Sequence, residues 1–348
     1  MEGTTNKFDA ELLKYLITAQ SEATPIEELI TIDESTFAIN GGLSLVTGMP
    51  KGGKTTALRV MIETAFMEEI KEGYQNIGIR SKFQPDKSLI YINTEMTDAD
   101  MIKFRNSITR ALGREDLPEN IYIFHLLTLF PRERVKLIEK IIQQAENASI
   151  VLIDGLADLV TSVNEEKDCN EVIQLLQNYA VNYKVGIIGV IHENRGNKQT
   201  RGHLGQQAER KCVGAISVAK NREKKIFELT ATMTRHTDDF DKIIYRYNEK
   251  GRLERLDKTS PIVRAYSQET EEVEFARTIF ADDLTLPDKV LRERLRKHFK
   301  DTEPNTMPTA ISNKVTRKIE KFLHTNIIGD AGNMSYKLMF FLEQIEST

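Results

Sequence analysis

Tryptophan, paired cysteines and long apolar runs are all missing from this chain of 348 residues. The absence of tryptophan excludes nothing. The two cysteines, Cys169 and Cys212, are too few for a disulfide scaffold and lack the paired spacing of a zinc site, so we expect two reduced thiols in a cytoplasmic protein. The first ten residues are polar and acidic, unlike a signal peptide, and no stretch reaches the roughly 18 apolar residues of a membrane span. We therefore expect no membrane partner.

A large charge of either sign is also missing. The net charge is −4, so the charge of the whole chain argues neither for nor against a nucleic-acid partner, and a basic surface must be sought locally. With 40% hydrophobic and 29% charged residues, the composition is ordinary for a globular protein that buries a sizeable core. Single cores stop growing near about 250 to 300 residues, so we expect one large domain and a smaller additional piece.

From Gly41 onward, short β-rich runs alternate with longer helical runs, which is typical of a parallel sheet with crossover helices. After Ile191 the β-type runs follow each other closely, which predicts an antiparallel extension of the same sheet. The predicted strands are 43–47, 88–93, 121–124, 149–153, 186–191, 214–219, 225–232 and 242–247. The predicted helices of this part are 54–71, 98–112, 132–146 and 170–183.

The predicted organisation comprises an N-terminal arm, an α/β domain, a charged linker and a small C-terminal domain. The arm contains a helix-like stretch at 10–19 and is expected to serve as a lid or docking segment. The C-terminal domain is predicted to be mainly helical or winged-helix, with a basic helix over 286–299 and one or two further helices. Its eleven basic and eight acidic residues suit either contact with DNA or docking of a partner protein. The four regions are 1–40, 41–250, 251–283 and 284–348.

Near the N-terminus, the run Gly-Met-Pro-Lys-Gly-Gly-Lys-Thr matches the phosphate-loop pattern G-x-x-x-x-G-K-[ST]. Such a loop wraps backbone N–H groups around a polyphosphate, while the following helix directs its positive end at the same charge. Lys54 then reaches the β- and γ-phosphates, and the Thr55 hydroxyl binds Mg²⁺. A predicted strand precedes the loop and a helix follows it, as the motif requires. The predicted ligands are ATP and Mg²⁺, and the residues predicted to bind them are Gly48, Met49, Pro50, Lys51, Gly52, Gly53, Lys54, Thr55 and Thr56.

Three further predicted strands end next to a polar side chain. Asp154 follows an apolar run and suits orientation of Mg²⁺ or its water, although many strands end in aspartate as a turn residue. Glu95 can take a proton from a water that attacks the γ-phosphate. Alternatively, its negative charge can interact with the positive end of the dipole at a helix N-terminus. His192 can contact the γ-phosphate on one side and a mobile loop on the other, or it can cap a turn. The residues alone leave these alternatives open.

The order of these motifs resembles that of the RecA/DnaB superfamily of ATPases, and most closely its plasmid RepA-type and mobile-element helicase-like members. The resemblance covers about residues 25–250 and implies a RecA-like α/β core with a phosphate loop. It also implies that Glu95 activates water, that Asp154 and Thr55 hold the metal, and that His192 is a switch for the γ-phosphate. With Lys54 and Arg235, the implied catalytic residues are Glu95, Lys54, Arg235 and His192.

Arg235 lies in the run Thr-Met-Thr-Arg-His after a late predicted strand. At that place the superfamily holds an arginine finger, which enters the site of a neighbouring subunit and stabilises charge on the transferring phosphoryl group. The usual Lys-x-Arg spacing is imperfect, because Met233 stands where a lysine is expected. A surface arginine is the alternative interpretation.

A local basic segment extends over 186–235, where ten basic and four acidic residues give a net charge of +6. Within it, Arg195, Lys198 and Arg201 lie on a glycine-containing loop and suit contact with the phosphates of single-stranded DNA in a ring pore. The loop has no aromatic residue, so base stacking is not expected there. A solvated basic loop is the alternative.

Taken together, the resemblance implies a homo-oligomeric ring, expected to be a hexamer, that couples ATP hydrolysis to movement on DNA or remodelling of DNA. A helicase-like enzyme of a plasmid, phage or mobile element would also have a replication or recombination protein as a binding partner. Two alternatives remain open at this stage. One is a KaiC-like regulatory or assembly ATPase that acts on proteins, and the other is a RecA-like recombination ATPase.

Overall fold

The computed structural model describes residues 8–18, 21–22, 25–69, 77–82, 85–194, 200, 202–281, 283–332 and 334–339. In this part of the chain, a nine-stranded sheet lies between two layers of helices, and a smaller core follows it in sequence. The helices are α1 (Ala10–Leu13), α2 (Lys54–Ala65), α3 (Asp98–Leu112), α4 (Pro131–Gln144), α5 (Glu166–Tyr183), α6 (Gly202–Lys211), α7 (Pro261–Phe280), α8 (Asp288–Thr302) and α9 (Pro308–His324). The strands are β1 (Glu28–Ile32), β2 (Ser35–Ile39), β3 (Leu43–Gly48), β4 (Ile79–Ser81), β5 (Ser88–Asn93), β6 (Ile121–His125), β7 (Ala148–Asp154), β8 (Gly186–His192), β9 (Gly214–Asn221), β10 (Ile226–Thr234), β11 (Ile243–Tyr247), β12 (Leu253–Arg255), β13 (Thr285–Pro287), β14 (Ile328–Gly332) and β15 (Ser335–Leu338).

The main sheet has the strand order β12-β11-β10-β9-β3-β8-β7-β5-β6. The six strands from β9 to β6 are parallel, and β10, β11 and β12 extend the sheet in antiparallel fashion. The prediction of an α/β fold with a parallel sheet and an antiparallel extension is therefore confirmed. Each predicted strand of this sheet is present, with ends that differ by at most two residues.

Both faces of the sheet are covered, which explains why its central strands read as continuous apolar runs. Leu89 and Tyr91 of β5 pack with α2 and α3 on one face, whereas Ile90 and Ile92 pack with α4, α5 and α6 on the other. Successive side chains of a strand point to opposite faces, so every apolar residue of β5 enters one of the two cores. All six residues of β3 are buried.

The parallel strands carry their carboxyl ends to one edge of the sheet. Pairing aligns Gly48 of β3 with His192 of β8, and Asn93 of β5 with Asp154 of β7. The loops that leave these four strands therefore begin side by side. In open parallel sheets this edge is where ligands bind.

The N-terminal region differs from the predicted arm. The helix α1 ends at Leu13, well before the predicted end at residue 19, and residues 28–39 form the antiparallel hairpin β1–β2. Together with β4 this hairpin makes a separate three-stranded sheet, and its apolar residues pack into the same core as α2. Residues 28–39 are thus part of the folded domain, because their apolar side chains are buried there.

The predicted linker at 251–283 also differs. Its start forms β12, which belongs to the nine-stranded sheet, and α7 occupies twenty of the following residues. Val263 in the first turn of α7 packs against Ile226 and Ile244 of the main sheet. Val273 and Phe280, farther along α7, are buried in the C-terminal core. One continuous helix therefore contacts both cores.

The C-terminal core is built from α7, α8 and α9 and the small sheet β13-β15-β14. The element order is helix, strand, two helices and a β-hairpin. Strands β14 and β15 form this hairpin, whereas the predicted one or two further helices after the basic helix included no strand. Basic α8 begins at Asp288, two residues after the predicted start.

Helix α2 ends at Ala65 within the predicted range 54–71, and α5 begins at Glu166, four residues before the predicted start.

None of the helices in the described ranges has the length and hydrophobicity that crossing a membrane requires.

Candidate active site

Two glycines shape the loop that joins β3 to α2. Gly48 and Gly53 have positive φ angles of 143° and 103°, which are strained for residues with a side chain. A Cβ atom on Gly48 would lie 2.2 Å from the carbonyl oxygen of Val218, and one on Gly53 would lie 2.8 Å from the ring of Phe227. The loop therefore rests directly on β9 and β10, and only glycine permits this close approach.

The other residues of this loop lie between the two glycines that rest on β9 and β10. Gly52 is buried and its N–H donates to the carbonyl oxygen of Met49 at 3.0 Å, while Pro50 and Lys51 lie exposed at the tip. Helix α2 begins at Lys54, so its first backbone N–H groups and the positive end of its dipole face the loop. The geometry is suited to an anion at this position.

Lys54 is buried to 6% exposure beneath the loop. Its Nζ donates to the carbonyl oxygens of Gly48 and Met49, both at 2.9 Å, and lies 3.0 Å from Nδ1 of His192. Burial lowers the pKa of Lys54, while the nearby carboxylates of Asp154 and Glu95 oppose this change. The ammonium group is thus the cation at the centre of the site.

Asp154 lies next to Lys54 and is also buried. Its Oδ2 accepts hydrogen bonds from the Thr55 hydroxyl at 3.0 Å and from the Tyr91 hydroxyl at 2.9 Å. Burial raises the pKa of Asp154, whereas the hydrogen bonds from Tyr91 and Thr55 act in the opposite direction. The two residues predicted to bind the metal are therefore in direct contact.

Glu95 and His192 meet at the mouth of the site. Nε2 of His192 lies 3.3 Å from Oε1 of Glu95, and Nδ1 of the same ring faces the ammonium of Lys54. Since the ammonium can only donate, Nδ1 accepts and Nε2 carries the proton that is shared with Glu95. This hydrogen bond from His192 lowers the pKa of Glu95, and burial opposes it. Glu95 is accordingly an ionised carboxylate at neutral pH.

The turn after β5 fixes the direction of Glu95. The Oδ1 of Asn93 accepts from the backbone N–H groups of Glu95 and Met96, at 3.1 and 2.7 Å. The Thr94 hydroxyl donates to Asp158 at 2.7 Å, which ties the same turn to the loop after β7. Asn93 is fully buried and local hydrogen bonding of this kind is characteristic of asparagine in turns.

One buried acidic residue of the site was missed by sequence reasoning. Glu193 is 8% exposed, and its Oε1 accepts from the hydroxyls of Thr47 and Ser217, both at 2.6 Å. In the sequence it resembles an ordinary charged loop residue directly after β8. Only its position next to His192 pointed to it, because the hydrogen-bonding partners lie far away in the chain.

Arg235 lies at the other end of the sheet. Its backbone N–H donates to the carbonyl oxygen of Val213, whose own N–H donates to Leu43 at the start of β3. Leu43 and Gly48 are five residues apart, which is a distance of about 17 Å along β3. The guanidinium group donates to the carbonyl oxygens of Cys212 and Arg210, both at 2.7 Å. Arg235 is thus remote from its own phosphate loop and bonded to its own chain.

The turn between β9 and β10 lies at the same edge as the phosphate loop. The last two residues of β9 and the first residue of the turn read Lys-Asn-Arg over 220–222, which has the Lys-x-Arg spacing that is missing around Arg235. Nζ of Lys220 lies 5.1 Å from the centre of the Phe227 ring, and Arg222 is exposed. The spacing was visible in the sequence, but its place at this edge follows from the antiparallel pairing of β9 and β10.

An exposed aromatic side chain lies beside the first turn of α2. The Tyr247 hydroxyl is 3.4 Å from Oγ1 of Thr56 and 3.5 Å from Nη2 of Arg59. Its ring contacts Phe227 edge to face, and 41% of Tyr247 is exposed. The predicted contacts of Arg195, Lys198 and Arg201 with DNA fall outside the residues that the structure describes.

The residues at this edge fit Mg²⁺ bound together with a polyphosphate. Mg²⁺ usually takes one or two protein ligands and completes its shell with phosphate oxygens and waters, and Thr55 and Asp154 provide such a pair. A protein-only metal site of three or more acidic, histidine or cysteine ligands does not occur among the described residues. The glycines that let the loop adopt its shape fit the same ligand.

No family model matches the chain, and no curated protein matches its sequence.

Proposed function

We propose that this chain is an ATP hydrolase with a RecA-like phosphate-loop core, which assembles into a ring and acts on DNA. The observation that carries the proposal is the continuous line of contacts from Lys54 through His192 to Glu95, next to the Thr55–Asp154 pair. A lysine for phosphate, a hydroxyl and carboxylate for metal, and an ionised base are the groups that phosphoryl transfer to water needs.

Glu95 would accept the proton of the attacking water. Its lowered pKa keeps it ionised at neutral pH, and its proximity to His192 orients the carboxylate. His192 would respond to the γ-phosphate through Lys54, because its ring contacts the ammonium and the base at the same time. Lys54 would neutralise charge on the phosphates. Bound Mg²⁺ would supply further charge neutralisation at the phosphate oxygens.

An arginine from a neighbouring copy would complete the site. Two arginines are candidates, and the contacts favour Arg222 over Arg235. Arg222 is exposed on a turn at the phosphate-loop edge, whereas the guanidinium of Arg235 is already bonded to two carbonyl oxygens of its own chain. A finger of this kind contributes about 10³ to 10⁵ in turnover. A hexamer is the proposed ring.

Tyr247 is proposed to stack on the base of the nucleotide. It is exposed, and it lies beside Thr56 in the first turn of the helix that follows the phosphate loop. The Arg59 guanidinium beside its hydroxyl adds a planar cation to the same surface.

Single-stranded DNA is the proposed polymer, with Arg195, Lys198 and Arg201 as its phosphate contacts. The C-terminal core has the element order of a winged-helix module, which supports a second contact with DNA through α9. The outward face of α9 carries exposed polar residues, and the inward face of this helix is apolar. The outward residues are Ser312, Asn313, Thr316 and Arg317.

Phosphate release from ATP, with and without single-stranded DNA at low salt, tests the proposal. We expect Mg²⁺-dependent hydrolysis that DNA stimulates, and Arg222→Ala is expected to lower turnover by about 10³-fold without weakening nucleotide binding. Arg317→Ala, on the exposed face of α9 in the C-terminal core, is the matched control for turnover without DNA. An absence of hydrolysis would contradict the ATPase assignment. If DNA does not stimulate ATP hydrolysis and the protein does not bind DNA in a gel, the results would instead favour an ATPase that acts on proteins.

A further inference from the structure

Glu193 links three neighbouring strands at the edge that carries the active site. It follows β8 directly. One of its two carboxylate oxygens, Oε1, accepts hydrogen bonds from both Thr47 of β3 and Ser217 of β9. Its own N–H donates to the carbonyl oxygen of Gly48 at 3.2 Å. The three strand ends are therefore held together by one buried side chain.

Each of these strands leads to a different part of the site. One residue after Thr47, β3 enters the phosphate loop at Gly48, and three residues after Ser217, β9 reaches Lys220 and the turn that carries Arg222. The strands on the two sides of this turn support the loop, since Val218 of β9 lies against Gly48 and Phe227 of β10 lies against Gly53. A shift of β9 relative to β3 would move the exposed arginine relative to the phosphate loop.

The segment after Glu193 is tied to the same point. The backbone of Glu193 pairs with Thr200 in an isolated antiparallel bridge, and Nδ2 of Asn194 donates to the carbonyl oxygen of Thr200 at 3.4 Å. Thr200 itself is buried. Asn194 and Thr200 therefore meet beside the residue that also contacts the strand entering the phosphate loop.

We propose that Glu193 is a positioning residue, whose carboxylate fixes the strand that enters the phosphate loop relative to the strand that leads to Lys220 and Arg222. It acts through the strands that it joins. The inference rests on the proposed ATPase function of this site. Backbone pairing joins β3 to β8 and β9 along their length, so removal of the Glu193 side chain is expected to loosen only the strand ends and to leave the rest of the sheet paired.

Three variants test this role. Glu193→Ala removes the acceptor, Glu193→Gln retains an oxygen that can accept both hydroxyl protons, and Ser217→Ala removes only the link to β9. Glu223→Ala, in the exposed turn between β9 and β10, is the matched control. For each full-length variant, kcat and KM for ATP are measured with excess Mg²⁺, together with the Kd of a fluorescent ATP analogue and the melting temperature.

We expect Glu193→Ala to lower kcat by about ten- to hundredfold, since a misplacement of about 1 Å costs this much, and to leave KM and Kd within about threefold. Glu193→Gln should restore kcat to within about threefold of the wild type, and Ser217→Ala should lower kcat in the same direction by a smaller factor.

Three results would overturn the role of Glu193. One is a wild-type kcat in Glu193→Ala or Ser217→Ala. Another is a loss of nucleotide affinity in parallel with kcat, which would indicate general damage to the phosphate loop. The third is a glutamine variant as slow as the alanine variant, which would assign the effect to charge. A wild-type chain that does not hydrolyse ATP would instead remove the proposed function itself.

Discussion

Replacing Glu95 by glutamine removes the proposed base and keeps the shape of its side chain. In the structure Oε1 of Glu95 lies 3.3 Å from Nε2 of His192, and glutamine can present its own oxygen to the same N–H. The proposed nucleotide contacts of the loop and Lys54 are expected to be unaffected. The variant therefore separates proton transfer from binding.

The magnitude follows from the role of the base. General base catalysis contributes about 10² to 10⁴ in rate. This corresponds to about 3 to 5 kcal/mol of lost transition-state stabilisation. We expect Glu95→Gln to lower kcat by this factor and to change the Kd of ATP by no more than about threefold. Phosphate release under saturating ATP and binding of a fluorescent analogue measure the two quantities.

The pH dependence gives a second measurement on the same residue. His192 lowers the pKa of Glu95, so the carboxylate is ionised throughout the neutral range and becomes protonated only as the pH falls through that lowered value. We expect kcat of the wild type to stay level from neutral pH down to the ordinary glutamate range and to fall below it. The glutamine variant should lack this decrease.

Glu249→Gln, in the exposed turn between β11 and β12, is the control for the loss of a negative charge. Undiminished turnover in Glu95→Gln would refute the reasoning, as would a loss of ATP binding as large as the loss of turnover. Either result would mean that Glu95 does not act as the base.

Two further predictions concern the architecture of the site. Gly53→Ala must place a Cβ 2.8 Å from an aromatic ring at φ 103°, whereas Gly251→Ala has a φ of 69° and no atom within 4 Å, so Gly53→Ala should lose at least about 1 kcal/mol more stability in urea unfolding and should bind ATP more weakly. Equal effects of the two substitutions would contradict the packing argument. Tyr91→Phe removes the hydroxyl that donates to buried Asp154 and should cost about 1 to 3 kcal/mol of unfolding free energy, with Tyr122→Phe on the exposed end of β6 as control. An unchanged unfolding midpoint in Tyr91→Phe would show that this hydrogen bond contributes nothing.

Local patterns were sufficient for eight of the nine strands of the main sheet. Runs such as Leu43–Gly48 and Ala148–Asp154 are buried on both faces, so their continuous apolar character is visible in the sequence. The hairpin β1–β2 was harder to predict, because its polar residues interrupt the pattern and its burial comes from packing against α2. The three-residue strand β12 has no pattern of its own and forms because β11 offers an edge.

The sequence by itself determined which functional groups the candidate site contains. A phosphate loop needs glycines and a lysine at adjacent positions, so Gly48 to Thr55 could be predicted as one without a fold. Polar residues at the ends of apolar strands then pointed to Glu95, Asp154 and His192, because the carboxyl ends of parallel strands share one edge.

Only the tertiary structure decided how these groups contact one another. The Glu193 contacts join residues 146 and 24 positions apart in the chain, and no local pattern encodes them. The direction of β10 likewise takes Arg235 to the far end of the sheet and leaves the turn with Arg222 at the active-site edge. Side-chain identity is a property of the sequence, whereas distance between remote residues depends on strand order and register, which form only when the whole sheet is packed.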